Sequence, residues 1–515
     1  MSELRGGVAS VPLFKVKILD VDFGGIRQVI LNVEDATERV IKAGERVRLS
    51  KGDRVCTASV ALSSTIVSPG EILLPKSLAE ELKVLEGDLI GVRVAETPQS
   101  ALFIKKKLLG SKLSPEEIRA IIRDIVDGSL GDGEIAAFLS AQEIHGLTID
   151  ELESLTRAMV DTGARIEFDE SAYDEHSIGG VPGNSKVALI AVPIVASAGL
   201  LIPKTSSRAI TSPAGTADTM EVLANVEFTP EELKEIALKT KGVIAWGGSL
   251  NIAPADDIFI RVENKLMLDP PTQMVASILA KKLAIGINVA IIDIPVGKGA
   301  KVEDMKRAEE LSRIFIEQSG RLGIRLKCAI SYGGQPIGYT IGPALEAKEA
   351  LQTLVDGKGA GSLVEKAIGI AGILFEEAGL TARGGGISLA RKLLEGGVAY
   401  EKFKEIIEAQ GGDPKVKPED LPIGDKHVTI EAPTDGYVTH VDNTALTLIA
   451  RAAGAPIDKG AGIKLYVKAG SKVKSGEKLF TIYSESSVKL AYAHSLAQRL
   501  HPITLEGMIL RTIPE

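Results

Sequence analysis

The sequence predicts a multidomain α/β protein, and three observations carry that expectation. At 515 residues the chain is longer than one hydrophobic core fills, which suggests three or four domains. Its middle alternates helical and strand patterns around the unbroken apolar run INVAIID at 287–293. Such a run fits a parallel strand covered on both faces. Both ends of the chain are β-rich and set off from the middle by polar, proline-containing stretches.

Residues 1–98 show short alternating strands, as in VPLFKVKILDVDF and in 45–50, split by Gly and Asp turns, with one amphipathic helix expected at 75–85. ETPQS at 96–100 reads as a linker. A helical block follows. Ser114-Pro115-Glu116-Glu117 supplies an N-cap, a first-turn proline and a capping-box acid ahead of Ile118, Ile121, Ile122 and Ile125. Thr148-Ile149-Asp150-Glu151 starts a helix in the same way, and the two bracket a third over 134–144.

From His176 onward strands and helices alternate, with Thr229-Pro230-Glu231-Glu232 opening one helix. The most apolar stretch, 187–203, is interrupted by Pro193 and Gly199 and is shorter than the ~20 residues of a membrane span. It reads as a buried helix followed by a buried strand. A charged, proline-containing segment at 411–426 separates the last β-rich region, 426–515.

The net charge of −8 argues against a nucleic-acid duplex or an anionic membrane as the main partner. A phosphate-bearing small substrate stays open, because dipoles and a few cations hold one inside an acidic protein. Cys56 and Cys328 are too far apart for a disulfide framework or a metal site, so the expected compartment is the reducing cytoplasm. The N-terminus has no charged-then-apolar signal pattern. Aromatic residues at 4% predict an aliphatic core, and sparse Cys with abundant charge fits a thermophile.

Three polar loops interrupt the α/β region. In the first, His176 to Lys186, Gly179, Gly180 and Gly183 let backbone N–H groups face an anion, and the helix beginning near Val187 adds its positive end. An ordinary tight turn explains the same glycines. The second, Thr205 to Thr216, holds six hydroxyl side chains and Arg208 within twelve residues. Hydroxyls donate without adding charge and Arg forks onto phosphate oxygens. A capped loop accounts for Thr216 and Ser212, less well for Arg208 and the hydroxyl density. The third, Pro295 to Lys301, follows the 287–293 strand, where ligands of open α/β sheets collect. It lacks P-loop spacing, and a solvent-facing role fits either lysine alone. No zinc signature, nucleophile elbow or dinucleotide fingerprint is present, so no metal or cofactor is expected.

In that order these loops resemble the thymidine phosphorylase/AMP phosphorylase family. The likeness rests on His176-Ser177 with Gly179-Gly180, Ser206-Ser207-Arg208, Gly215-Thr216 with Asp218, and residues 250–255. It continues through ASILAKK (276–282), Asp293 with Val296-Gly297-Lys298-Gly299-Ala300, and Gly334-Gln335-Pro336, covering about residue 102 to the C-terminus. Three departures from ordinary thymidine phosphorylases favour the archaeal AMP branch. Glu175 stands where those enzymes have lysine, Glu263 stands where their base-binding arginine is expected, and about 98 extra residues precede the helical block.

The resemblance implies that AMP and phosphate give adenine and ribose 1,5-bisphosphate, with CMP and UMP as further substrates. The product would feed a pathway ending in ribulose bisphosphate carboxylation. Inorganic phosphate would be co-substrate, with no cofactor. The implied fold is a helical domain of two chain segments, 102–170 and about 250–285, with an α/β domain of 171–249 and 286–425. Family members dimerise through the helical domain, and the AMP branch assembles further into a larger homo-oligomer.

By the same resemblance Asp269 protonates the departing purine, for which desolvation must keep its carboxyl protonated; a helix cap before Pro270-Pro271 is the plainer role. Gly180, Ser207, Arg208, Ala209, Ile210, Thr211, Ser212, Thr216, Ser277 and Lys301 would bind AMP. Arg208, Lys281 and Lys301 supply charge for the phosphates. His176 and Ser177 are further candidates, His176 either orienting the sugar or serving structure.

Two enzymatic rivals are a nucleoside phosphorylase for unphosphorylated substrates and a phosphoribosyltransferase of the anthranilate type. The latter needs Mg²⁺ with diphosphate, and no acidic pair stands in the right loop. A non-enzymatic rival comes from the tail. Ala432-Pro433-Thr434-Asp435-Gly436 with residues 470–476 resembles lipoyl and biotinyl carrier domains, whose modified lysine sits at a hairpin tip. The tip candidate here, Asp442-Asn443-Thr444-Ala445, has no lysine, so the tail is expected to be structural.

Overall fold

A computed structural model describes residues 11–21, 23–209 and 212–507. It divides into two compact units, Met1–Thr162 with Pro254–Gln273, and Gly163–Ala253 with Met274–Glu515.

The first unit opens with six strands: β1 (Leu13–Leu19), β2 (Gln28–Asn32), β3 (Arg46–Lys51), β4 (Arg54–Ser63), β5 (Glu71–Pro75) and β6 (Leu89–Val94). They close into a barrel in the order β1-β5-β2-β4-β3-β6, which leaves no open sheet edge. Alternating residues such as Phe14 and Val16, Val29 and Leu31, and Val47 and Leu49 fill it. Two short helices decorate it, α1 (Val33–Glu38) and α2 (Lys76–Leu82), the latter within the expected 75–85.

Helices α3 (Ser100–Leu108), α4 (Pro115–Val126), α5 (Asp132–His145) and α6 (Ile149–Asp161) follow. The capping boxes at Ser114 and Thr148 form as the sequence predicts, and Ile118, Ile121, Ile122 and Ile125 are the buried face of α4. The barrel is fastened to this bundle by arginines. Arg27 Nη1 donates to the Val126 carbonyl at 2.8 Å, one of the carbonyls left over at the end of α4. Arg46 reaches the Ser129 carbonyl and the Glu134 carboxylate.

The second unit begins with β7 (Ala172–Ser177), α7 (Lys186–Ser197), β8 (Ile202–Ser206), the short α8 (Thr216–Met220), α9 (Pro230–Thr240) and β9 (Gly242–Trp246). The chain then crosses to the first unit for α10 (Pro254–Leu266) and returns along α11 (Pro271–Ala284), whose residues from Met274 onward belong to the second. β10 (Ile287–Val296), α12 (Met305–Arg321) and β11 (Arg325–Tyr332) come next. β11, β10 and β7 form a parallel sheet, β8 and β9 a parallel pair, and a parallel bridge between Ala172 and Leu201 links the two. The apolar run thus lies in a parallel strand, as expected, and that strand is paired on both sides.

The 187–203 stretch is α7 followed by β8. From Lys186 to Ala196 every residue of α7 is buried, as a helix apolar all round must be. It packs against α13 (Pro343–Asp356), α14 (Gly361–Glu377), α15 (Gly386–Glu395) and α16 (Val398–Ala409), which follow the two-residue strand β12 (Thr340–Ile341). The shared core joins Leu189, Ile190 and Val192 to Leu351, Ile368, Phe375 and Phe403, aliphatic with few rings, as the composition implied.

The C-terminal part holds β13 (Lys426–Glu431), β14 (Gly436–Val441), α17 (Asn443–Ala452), β15 (Gly462–Leu465), β16 (Lys472–Val473), β17 (Lys478–Ser484), α18 (Ser487–Leu500) and β18 (Ile503–Glu506). The sheets run β12-β15-β17-β13 and β16-β14-β18, so this region shares a sheet with β12 of the α/β part. Residues 442–445, the tip of a carrier hairpin on the rival reading, are instead the capped start of α17, with Asp442 accepting from the Ala445 N–H. Among the described residues no helix is long and apolar enough to cross a membrane.

Candidate active site

The loops at the carboxyl ends of β7, β8 and β10 open into one cavity of about 430 Å³, lined by Ser177, Gly180, Ser207, Ala209, Thr216 and Lys301 among others. That volume lies within the ~300–1,000 Å³ range of small-molecule sites. The parallel sheet explains the convergence, since every one of its strands delivers its loop to the same edge.

Asp218 shapes the β8 loop from below. One of its oxygens accepts from the Ala209 N–H at 2.6 Å and the Gly215 N–H at 3.0 Å, and Lys459 approaches the other at 3.3 Å. Thr216 donates its hydroxyl to the Ser185 carbonyl at 3.3 Å, tying this loop to the β7 loop. The β7 loop is held by the Ile178 N–H on the Asp293 carbonyl of β10, and Gly179 and Gly180 both have positive φ.

Arg208 lines the cavity, but its guanidinium fork grips an acid. Its two terminal nitrogens meet the Glu221 oxygens at 2.7 and 2.6 Å, Glu227 accepts at 2.8 Å, and the guanidinium stacks 4.7 Å from the Trp246 ring centre. The hydrogen bonds from Arg208 hold the Glu221 carboxyl down at about 2, well into its charged form. The sequence offered Arg208 as a phosphate fork; in this structure that fork is engaged with Glu221.

A buried ionic layer lies behind the cavity. Lys204, on β8, donates to the Glu175 carbonyl and stands 3.3 Å from its carboxylate and 3.8 Å from Asp174. Lys282 of α11 pairs with Asp174 from the other side. Burial alone would lower the Lys204 pKa, and Asp174 and Glu175 outweigh it and raise it. Burial raises the Glu175 carboxyl, with Lys204 opposing. Where ordinary thymidine phosphorylases are expected to carry a lysine, this chain presents Glu175 with a lysine supplied by the neighbouring strand. Burial, then Lys282, Lys204 and Lys281, pushes the His176 imidazole well below its ordinary value, so it is neutral at pH 7 and able to hydrogen-bond a ligand without adding charge.

Asp293 sits at the end of this layer, accepting from the Ser331 hydroxyl at 2.5 Å and pairing with Lys366 at 2.8 Å. Among the described residues no group of three or more His, Cys, Asp or Glu side chains is placed to hold a metal ion.

Of the residues singled out from sequence, His176, Ser177, Gly180, Ser207, Arg208, Ala209, Ser212, Thr216 and Lys301 line the cavity. Ser277 and Lys281 lie one turn apart on α11, and of the two Lys281 acts electrostatically on His176. Asp269 belongs to the first unit, exposed in the connection between α10 and α11. Ile210 and Thr211 lie outside the described residues. Sequence reasoning missed Lys204, Asn443, Thr444 and Thr447 as cavity residues. A lysine ending an apolar strand run was a signal for the first. The other three come from the tail expected to be purely structural, and only the folded chain brings them here.

Three family models match the chain: a glycosyl transferase family helical bundle domain over 102–163, a glycosyl transferase family a/b domain over 169–400, and a pyrimidine nucleoside phosphorylase C-terminal domain over 437–504. The AMP phosphorylase of Pyrococcus furiosus is 55% identical over 500 residues, 97% of this chain and 99% of that protein. The chain belongs to the AMP phosphorylase family. The AMP phosphorylases of Thermococcus kodakarensis and Methanocaldococcus jannaschii, at 53% and 50% identity, cover the same 97% of this chain and 99% of their own lengths. Matches of that extent take in the N-terminal barrel as well as the three cavity loops. Over 60% of this chain the fold is also that of an anthranilate phosphoribosyltransferase from Thermus thermophilus, with a TM-score of 0.52, 21% identity and 99% of that chain covered.

Proposed function

We propose that this chain cleaves AMP with inorganic phosphate, giving adenine and ribose 1,5-bisphosphate. The observation that carries the reading is the meeting of the β7, β8 and β10 loops in one cavity, with Lys301 packed against Gly180. Membership of the AMP phosphorylase family supports AMP as the nucleotide.

In the reaction a phosphate oxygen attacks C1′ of the ribose as the C1′–N bond to adenine breaks. The ribose becomes oxocarbenium-like and the base gathers negative charge. Glycine-loop N–H groups and the Ser207 hydroxyl hold the anions, Thr216 binds AMP beside them, and neutral His176 orients the sugar. Ser277 binds AMP from α11, with Lys281 supplying charge beside it. Asp269 donates the proton that adenine needs to leave.

We extend the proposal to CMP and UMP as further substrates, to a pathway leading towards ribulose bisphosphate carboxylation, to a homodimer that assembles further, and to the cytoplasm. Neither metal nor organic cofactor has a role in it. The test is adenine release from AMP with and without phosphate, beside adenosine. Phosphate-dependent release from AMP is expected; equal or better turnover of adenosine would make the protein a nucleoside phosphorylase instead.

A further inference from the structure

The cavity has a wall built by the C-terminal subdomain. We propose that Thr444 and Thr447 of α17 form, with Lys301, the subsite for the nucleotide's 5′-phosphate, and so separate phosphorylated from unphosphorylated substrates. This rests on the reading of AMP as substrate.

Thr444 and Thr447 both line the cavity, and three residues apart they share one face of the helix. Thr444 is exposed and Thr447 half-buried, so a ligand reaches both. A Cβ built on Gly299 would lie 3.4 Å from the Thr444 hydroxyl oxygen, and Gly299 stands two residues before Lys301. The first turn of α17 and the β10 loop therefore make one continuous surface.

The positive end of α17, a helix of 10 residues, faces that surface. Two acids stand by this surface: Asp442 accepts from the helix's own Ala445 N–H at 2.9 Å, and Glu303 accepts from the Gly299 N–H at 3.3 Å. A second observation points to a ligand. Asn443 lines the same cavity at 2% exposure, donates its amide to the Gly333 carbonyl at 2.9 Å, and keeps Oδ1 buried with no partner among the described residues. That oxygen accepts only from a donor, which a ribose hydroxyl is. An anion bound by one cation, two hydroxyls and a helix start beside a ribose hydroxyl acceptor is the pattern a sugar phosphate fits.

Thr→Val keeps shape and removes the donor, so the test is kinetic. T444V, T447V and the pair are compared with T444S for KM of AMP, KM of inorganic phosphate, and the AMP to adenosine ratio of kcat/KM. We expect each valine to raise KM for AMP about tenfold or more, the size of a lost hydrogen bond to a charged group. The ratio should fall in step, and T444S should restore it. In parallel, ribose 5-phosphate should raise the melting temperature of the wild type more than that of the double variant. A rise confined to KM for phosphate, or equal losses on AMP and adenosine, overturns the subsite. A wild type that releases no adenine from AMP overturns the substrate reading instead, and a wild type that does so beside unaffected variants overturns the subsite alone.

Discussion

Lys301 lies so close on Gly180 that a methyl group added to the glycine would stand 2.7 Å from both its backbone nitrogen and its Cγ. Gly180 also has φ +87, where an L side chain costs roughly 1–2 kcal/mol. Gly180→Ala should therefore move Lys301 and reshape the β7 loop together. The expected outcome is a KM for AMP raised at least tenfold, with a melting temperature only a few degrees lower. A variant with wild-type KM would mean that the two loops move independently.

The proposed reaction gives Asp269 the proton-donor role, and Asp269→Asn keeps its size while removing the acid. Turnover of AMP should fall by about 10²–10⁴, the usual worth of general acid catalysis, while AMP still binds. Single-turnover adenine release together with equilibrium AMP binding separates the two. Unchanged turnover takes Asp269 out of the mechanism.

Lys301→Ala tests the charge rather than the shape of the same wall. KM should rise for AMP much more than for adenosine, because a single cation near a phosphate contributes little to an uncharged 5′-hydroxyl. Equal loss on the two substrates would contradict recognition of the 5′-phosphate at this loop.

A lysine outside the cavity should shape stability against pH. Lys468 donates to the Pro336 carbonyl at 2.6 Å, and burial, then Lys186, lowers its pKa from 10.5 to about 7. Between pH 7 and 10.5 the unfolded chain holds a proton there that the folded chain has released, so stability from this residue rises with pH across that window. Below pH 7 folding carries the full cost of charging it. Lys468→Met should remove that rise, seen as a flatter melting temperature between pH 7 and 9.5 than in the wild type. Identical slopes would mean that the ammonium stays charged in the fold.

Much of the fold was legible because local chemistry announced it. The capping boxes at Ser114, Thr148 and Thr229 all form, and the 287–293 run of β10 is buried apart from Asn288. The three loops were legible because glycines, hydroxyls and cations cluster there between apolar runs, although tight turns and caps explain several of those residues equally well. Arg208 shows where this stops. Its sequence neighbours suggested a phosphate, and Glu221 and Glu227, thirteen and nineteen residues on, took its guanidinium instead.

The sequence by itself determined where helices and strands begin, which faces are apolar and which loops carry polar groups, because those depend on neighbours within a few residues. Only the tertiary structure decided which charges meet and which loops share a cavity. Lys204 reaches Glu175 across twenty-nine residues, and Thr444 comes beside Gly299 from a region that looked purely structural. Such pairings depend on how strands order themselves in a sheet and on burial removing water from between charges, and neither is written in local periodicity.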